Sequence, residues 1–300
     1  MKYSFKMIYA TAAVLIFFSA CKHEEKKSGP DKGNTFVVDE SFKPIVDQEL
    51  YVFKALNKKA NPVIRYAPEN EAVNLLFSDS TRVLIIAREM NAEEKKALAS
   101  KNLTPIVNRF AIDAVTLIVN QASTDTTITV SDVKKMLTGA AKTDKDIVFD
   151  NPNSGLVRYL KEFSGAKDFK QKNIYSLKSN KDVIAYVSTH PNAIGITSFS
   201  WLNDPEKDYA DAVNKVKIVA VKDDAPNRSG QYFLPSQQSI ALHQYPLTRN
   251  LYILNFTGKM GVGMEFAVFI AGDRGQRIIL KSGLLPDAIP GREINIVKTK

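Results

Sequence analysis

Three short segments place hydroxyl groups, a glycine amide or arginine side chains where a predicted strand is followed by a predicted helix. In chain order they are Glu40-Ser41, Ala87-Arg88 and Asn153-Ser154-Gly155, with Arg158 one helical turn beyond the third. The first turn of a helix leaves backbone N–H groups unpaired, and the helix dipole adds partial positive charge there. Such turns bind anions well, and a hydroxyl contributes a further neutral donor. The three segments are therefore candidate anion-binding turns.

Each of these side chains also has an ordinary structural interpretation. Ser41 can be the N-cap of the helix that follows it. Arg88 can form a solvated ion pair with the neighbouring Glu89, and Arg158 can lie on the solvent face of its helix. The residue types alone leave both interpretations open.

Residues that would carry catalysis or hold a metal are scarce. Cys21 is the only cysteine, and the three histidines (His23, His190 and His243) are too scattered for a zinc-ligand spacing. No nucleophile–base motif is found, and basic residues do not alternate with aromatic ones along any one stretch. We therefore expect no enzymatic activity, no metal, no cofactor and no nucleic-acid partner.

The composition is that of a packed globular protein. Of 300 residues, 44% are apolar and 24% charged, which excludes a collagen, a low-complexity chain and a disordered tail. The length is sufficient for two domains. The formal net charge of +9 suits an anionic partner or an anionic lipid surface.

The N-terminal residues have the layout of a secretory signal. Two lysines precede the apolar run 7–18, and small residues then lead into Cys21. We expect residues 1–20 to be a signal peptide, Cys21 to be lipidated and 21–34 to be a flexible tether, since 22–34 lack large apolar side chains. The alternative is an ordinary signal peptide followed by a cysteine that is there by chance.

The rest of the chain alternates strands and helices, which predicts an α/β fold with open sheets flanked by helices. Apolar runs predict strands at 35–38, 62–66, 82–87, 111–120, 147–149, 193–197, 216–221 and 251–254. Apolar stripes with helical spacing predict helices at 42–56, 69–77, 91–101, 131–137, 153–163, 181–189 and 263–281.

The order of several segments resembles a known family, the PstS-like phosphate-binding subunits of bacterial ABC phosphate importers, which are type II periplasmic binding proteins. The resembling segments are 38–44, 87–90, 111–120, 128–139, 149–159, 191–196, 245–252 and 275–286. They cover the chain after the tether nearly end to end. The resemblance implies two α/β lobes joined by two crossings, near 114–117 and between 220 and 240. The first lobe would comprise 35–115 plus 226–300, and the second 116–225.

The resemblance also implies that phosphate binds in the cleft between the lobes, held by Ser41, Arg88, Asn153, Ser154 and Gly155. Two positions depart from the family pattern. Leu156 stands where the family has a threonine, and Asp150 stands where many members have an anion-binding arginine. Arg158 would then supply the missing charge.

The function implied is that of an extracytoplasmic lipoprotein that binds inorganic phosphate or a similar oxyanion and delivers it to ABC permease subunits. The lipid on Cys21 would anchor it to the periplasmic face of a bacterial membrane or to the cell surface. The alternative is a lipoprotein of the same fold whose altered cleft serves a sensor or a surface interaction. Leu156 and Asp150 are the residues that favour this alternative.

Overall fold

Residues 32–291 are described by the structure, a computed structural model of the chain. The predicted signal peptide, Cys21 and most of the predicted tether lie outside these residues. The carbonyl of Lys32 accepts a hydrogen bond from the Arg82 N–H at 3.0 Å, so contacts with the body begin before the predicted end of the tether. Within 32–291, no helix combines the length and the apolar character needed to cross a membrane.

Strands and helices alternate as predicted. The first part of the chain forms β1 (Thr35–Asp39), a 3-10 turn (Glu40–Phe42), α1 (Lys43–Leu56), β2 (Val63–Ala67), α2 (Glu69–Phe77), β3 (Val83–Ile86), α3 (Ala92–Ala99) and β4 (Ile106–Asn120). The middle part forms β5 (Thr127–Thr129), α4 (Val130–Thr138), β6 (Asp146–Phe149), α5 (Gly155–Ser164), β7 (Ile174–Ser176), α6 (Asn180–Thr189), β8 (Ala193–Ser198), α7 (Ser200–Asn203) and α8 (Ala210–Val213). The last part forms β9 (Val216–Ile218), β10 (Ala220–Lys222), α9 (Gln237–Ala241), β11 (Thr248–Asn255), α10 (Val262–Ala271), α11 (Asp273–Lys281) and β12 (Leu285–Pro286).

The first lobe is built on β1, which lies between the parallel strands β2 and β3. β11 pairs antiparallel with β3 and with the first part of β4. Every residue of Val83–Ile86 is buried, as expected for a strand covered on both faces. The apolar stripe of α1 supplies Ile45 and Phe53 to one core, where Phe53 meets Phe266 edge to face.

The second lobe is built on β6 and β8, which are parallel neighbours. Successive residues of β6 point to opposite faces, so Ile147 packs among the side chains of α4 and α5. Val148 packs on the other face with α6. Both faces of the sheet are thus covered by helices, as the α/β prediction requires.

The long strand β4 belongs to both lobes. Its register pairs Ala114 with Thr248 in the first lobe, and the next residue, Val115, pairs with Ser198 of β8 in the second. The chain returns to the first lobe close to β11, since Leu247 packs in the second core and Leu251 in the first. Ile240 of α9 and Tyr245 of the loop after it also pack in the second core, whereas the Gln237 side chain of α9 donates to the Leu284 carbonyl at 2.8 Å. The predicted lobe limits themselves stay a prediction.

Two predicted elements are each divided in the structure. The predicted helix 263–281 is broken at Gly272, whose extended backbone separates α10 from α11. The Gln276 amide donates to the Ile270 carbonyl at 2.9 Å and so satisfies one acceptor at the break. The predicted strand 216–221 changes partner at Val219, since β9 pairs with β4 whereas β10 pairs with β5.

Candidate functional site

The three predicted anion-binding turns come together between the lobes. The first follows β1, the second follows β3, and the third follows β6 and precedes α5. Each therefore lies at the carboxyl end of a parallel strand. The Gly155 N–H of the second lobe donates to Asp39 Oδ2 of the first lobe at 2.8 Å. The Asn70 N–H donates across the same gap to the Asn153 carbonyl at 3.2 Å. The lobes are therefore in contact at this site.

The carboxylate of Asp39, at the end of β1, lies against the N-terminus of α5. Its Oδ1 also accepts from the Ser41 N–H at 2.9 Å, so two backbone donors from two lobes share one carboxylate. Burial raises the pKa of Asp39, and the negative charge of Glu69 raises it further, while the charge of Arg249 opposes the rise. A carboxylate thus lies where helix geometry favours an anion.

Asp150 accepts the hydroxyl donors of both predicted serines. Ser154 Oγ donates to Asp150 Oδ1 at 2.5 Å, and Ser41 Oγ donates to Oδ2 at 3.2 Å. Asn180 Nδ2 donates to Oδ2 at 3.2 Å. Burial raises the pKa of Asp150 to about 7, and the negative charge of Asp39 adds to the rise. Ser154 also caps α5 by accepting from the Val157 N–H, so it has both a structural role and a place in the site.

Glu69 joins the two predicted arginines. Its side chain is fully buried and accepts from Arg158 Nε at 2.5 Å and from Arg88 Nε at 3.0 Å. Arg88 also forms a bidentate pair with Glu94, at 2.6 and 2.8 Å, rather than the predicted pair with the Glu89 side chain. Arg158 crosses to the first lobe instead of lying only in solvent. We call Asp39, Glu69 and Asp150 the carboxylate triad.

The two remaining predicted positions contribute differently. Asn153 is exposed, and its backbone carbonyl, not its side chain, contacts the first lobe. Leu156, the departure from the family threonine, is fully buried in the second core. Its apolar side chain packs there and offers no donor to the cleft.

Gly155 has no room for a side chain. A Cβ placed on it would lie 2.6 Å from Asp39 Oδ2 and 2.6 Å from Glu69 Oε2. Both distances are far below van der Waals contact. The glycine therefore allows two members of the triad to approach the start of α5.

Several residues of the site were missed by the sequence reasoning. Asn180 donates to Glu40 Oε2 at 2.9 Å as well as to Asp150, and Trp201 Nε1 donates to the Ser41 carbonyl at 2.9 Å. Asp39 could have been found, because an acidic residue ending a strand before a helix is an N-cap signal. Glu69 and Asn180 carry no such signal. Within residues 32–291, no cluster of acidic, histidine or cysteine side chains is arranged to hold a metal ion.

Comparisons with known proteins agree with this architecture. The family described as "PBP superfamily domain" matches residues 26–274. A curated phosphate-binding protein PstS from Staphylococcus saprophyticus is 29% identical over 213 residues, covering 67% of this chain and 63% of the relative. The chain thus spans less than two thirds of that relative. A phosphate-binding protein PstS from Borreliella burgdorferi is 23% identical over 283 residues, covering 88% of this chain and 92% of the relative.

A solved structure shows the same fold. The crystal structure of a putative phosphate ABC transporter substrate-binding protein with bound phosphate, from Clostridium perfringens, superposes with a TM-score of 0.71 at 19% identity. The match covers 85% of this chain and 99% of that one. The two-lobe architecture predicted from the sequence is confirmed by this likeness. The chain therefore belongs to the PBP superfamily, and it is similar to the phosphate-binding proteins PstS named above.

Proposed function

We propose that this chain is a solute-binding protein that takes phosphate or a similar small oxyanion between its lobes and delivers it to an ABC importer. The observation that carries the proposal is the contact between the Gly155 amide and the Asp39 carboxylate. The N-terminus of α5 already holds an oxyanion group that comes from the opposite lobe. The relatives that the chain matches are named as phosphate-binding proteins, which supports the same class of ligand.

The donors that meet the carboxylate triad are the kind that an oxyanion needs. They comprise two backbone N–H groups, two hydroxyls, the Asn180 side-chain amide and two guanidinium groups, contributed by both lobes. Carboxylate and phosphate oxygens accept from the same donors with similar geometry. A bound oxyanion would therefore take over donors that the triad engages in the closed cleft.

The proposal requires the cleft to open. Many of the contacts between the lobes are polar, and the two strands that join the lobes, β4 and β11, are neighbours in one sheet. Hinge closure about a pair of strands is a known route by which two lobes enclose a ligand. Opening separates each member of the triad from its donor on the opposite lobe: Asp39 from the Gly155 N–H, Asp150 from the Ser41 hydroxyl and Glu69 from Arg158. Closing over a ligand restores the hydrogen bonds of these donors to new oxygens.

Asp150 bears on which oxyanion is preferred. Because its pKa is raised to about 7, it is partly protonated near neutral pH. A protonated carboxyl group can donate a hydrogen bond to an anion, whereas an ionised carboxylate can only accept one, from an oxygen that carries a proton. Asp150 thus suits a ligand that itself carries an ionisable proton, such as phosphate.

We place the protein outside the cytoplasm, held to a membrane by a lipid on Cys21. The signal layout of residues 1–20 supports this placement. The net charge of +7 that remains once Lys2 and Lys6 are removed suits an anionic membrane surface. The permease of an ABC importer is the partner that a solute-binding protein of this kind requires.

Calorimetric titration of the mature protein, freed of bound ligand, with phosphate, sulfate and methylphosphonate tests the proposal. Phosphate is expected to give heat and to raise the melting temperature. Ser41→Ala should weaken phosphate binding roughly fivefold, because a neutral hydrogen bond contributes about 1 kcal/mol. Ser100→Ala, whose hydroxyl bonds only the exposed Ala97 carbonyl, is the matched control.

If none of the three anions gives heat or thermal stabilisation at millimolar concentration, the oxyanion proposal is wrong. That result would leave the sensor or surface-interaction alternative, which the named relatives do not favour. The relatives are named as binding proteins, so we propose no enzymatic activity.

A further inference from the structure

Arg249 lies on β11, one of the two strands that join the lobes. It stands on β11 directly opposite Asp113 of β4, and its Nε donates to Asp113 Oδ2 at 3.0 Å. The Arg249 side chain is 2% exposed and that of Asp113 is fully buried. The arginine therefore sits at the base of the cleft, where both lobes begin.

Two of its nitrogens are unused. Arg249 Nη1 and Nη2 are buried and have no hydrogen-bond partner among residues 32–291. A buried charged donor without a partner is unfavourable, so such groups normally have one. The guanidinium fork presents two parallel N–H directions, which match two oxygens of one oxyanion.

The surroundings of the guanidinium come from both lobes. Its central carbon lies 4.7 Å from the centre of the Phe42 ring, next to Ser41. Burial raises the pKa of Asp39 and of Asp150, and the positive charge of Arg249 opposes the rise in both. The arginine is thus within electrostatic reach of the two carboxylates that accept the predicted hydroxyl and amide donors.

The other two arginines of the site differ from Arg249 in the number of carboxylates that they bind. Arg88 is held by Glu69 and Glu94, and Arg158 by Glu69 and Glu162. Arg249 has one carboxylate partner, at Nε, and its Nη1 and Nη2 have no hydrogen-bond partner among the described residues.

We propose that Arg249 is an anion-binding residue at the base of the cleft, where Nη1 and Nη2 take two oxygens of a tetrahedral oxyanion. This inference rests on the proposed function and adds to it a cation that neither the sequence motifs nor the family resemblance assigned. It also explains how an anion is held although Arg88 and Arg158 are engaged by carboxylates. Asp113 then acts as a positioning residue, because it orients the guanidinium through Nε.

Removing the arginine alone would leave Asp113 as an unpaired buried charge, which is strongly destabilising. The test therefore compares the double variant Asp113→Asn/Arg249→Gln with Asp113→Asn, so that the difference reports the arginine. The double variant Asp223→Asn/Arg228→Gln removes a more exposed pair, at 2.9 Å, and is the control for the change in charges.

Phosphate binding is measured by calorimetry, and folding by circular dichroism and thermal unfolding. We expect the Asp113→Asn/Arg249→Gln variant to bind phosphate roughly ten- to a hundredfold more weakly than Asp113→Asn. The Asp223→Asn/Arg228→Gln control should match the parent. If the double variant or Asp113→Asn does not fold, Arg249→Lys is compared with the parent instead. It keeps the charge but loses the fork, and it should also bind more weakly.

Two outcomes overturn the inference, and they differ. If the parent binds phosphate and a folded variant without Arg249, or Arg249→Lys, binds it as tightly as its reference, only the role of Arg249 is refuted. If the parent binds none of the anions, both the proposed function and the role of Arg249 fail.

Discussion

Replacing Glu69 by glutamine is expected to weaken the contact between the lobes, because Glu69 is the buried carboxylate that two arginines share. Arg88 belongs to the first lobe and Arg158 to the second, and both donate to Glu69 Oε1. Glutamine has nearly the same shape, but it is neutral and turns an N–H₂ group towards one of the arginine donors.

The magnitude follows from the contacts that are lost and those that remain. A hydrogen bond to a charged group contributes about 1.5–3 kcal/mol, and breaking a buried ion pair costs about 3–5 kcal/mol. The upper figure does not apply here, because Arg88 keeps Glu94 and Arg158 keeps Glu162. Arg158 is also 22% exposed, so solvent screens part of the interaction. We expect a loss of about 2 kcal/mol, which shifts the ratio of closed to open forms roughly thirtyfold.

Two measurements check this expectation. Urea denaturation gives the free energy of unfolding, and fluorescence of Trp201 reports the cleft, because this single tryptophan is buried and donates to the Ser41 carbonyl across it. Glu69→Gln should lower the free energy of unfolding and shift the emission to longer wavelength.

Glu71→Gln is the matched control. Glu71 lies on the same helix and pairs with Arg65, but both side chains are about half exposed, at 47% and 52%. Its replacement should cost no more than about 0.5 kcal/mol and leave the emission unchanged. If Glu69→Gln and Glu71→Gln behave alike, Glu69 does not hold the lobes together and the reasoning fails.

Three further predictions concern other parts of the chain. Gly155→Ala should destabilise the closed form by about 1–3 kcal/mol and shift the Trp201 emission, because the new methyl group would lie 2.6 Å from two carboxylate oxygens. The control Gly291→Ala should change neither quantity, because a Cβ at that position meets nothing within 4 Å. Burial raises the pKa of Glu49 to about 9, and neither of its oxygens has a partner among the described residues. The folded protein therefore keeps a proton that the unfolded chain loses above about pH 4.5. The free energy of unfolding should fall as the pH rises from 5 to 9 in the parent relative to Glu49→Gln. If urea denaturation gives the same pH dependence of this free energy for both proteins, the prediction is contradicted. Cys21→Ser should release the protein from the membrane fraction, since this thiol is the only cysteine available for acyl chains, and retention in that fraction would refute the lipoprotein prediction.

Much of the fold could be predicted from the sequence, because strands and helices leave local patterns. The run Val83–Ile86 is apolar throughout, and a strand buried on both faces requires this. The stripe of Lys43–Leu56 repeats at helical spacing, and one face of that helix is buried. The break at Gly272 was missed, because it depends on the Gln276 side chain and on the close packing of the two helices around Gly275.

The sequence by itself determined which residues could act as anion donors, since a serine or glycine at the start of a helix has that capacity in any fold. Ser41, Ser154 and Gly155 were identified in this way, and all three donate to carboxylates in the structure. Their partners were decided only by the tertiary structure.

The physical reason is that these partners are distant in sequence and lie on opposite lobes. Asp39 and Gly155 are 116 positions apart, and Glu69 and Arg158 are 89 apart. No periodicity or short motif relates such pairs, and they meet only when the strands β4 and β11 bring two separate cores together. Arg249 is buried and its Nη1 and Nη2 have no hydrogen-bond partner among the described residues, which the motif at 245–252 does not reveal.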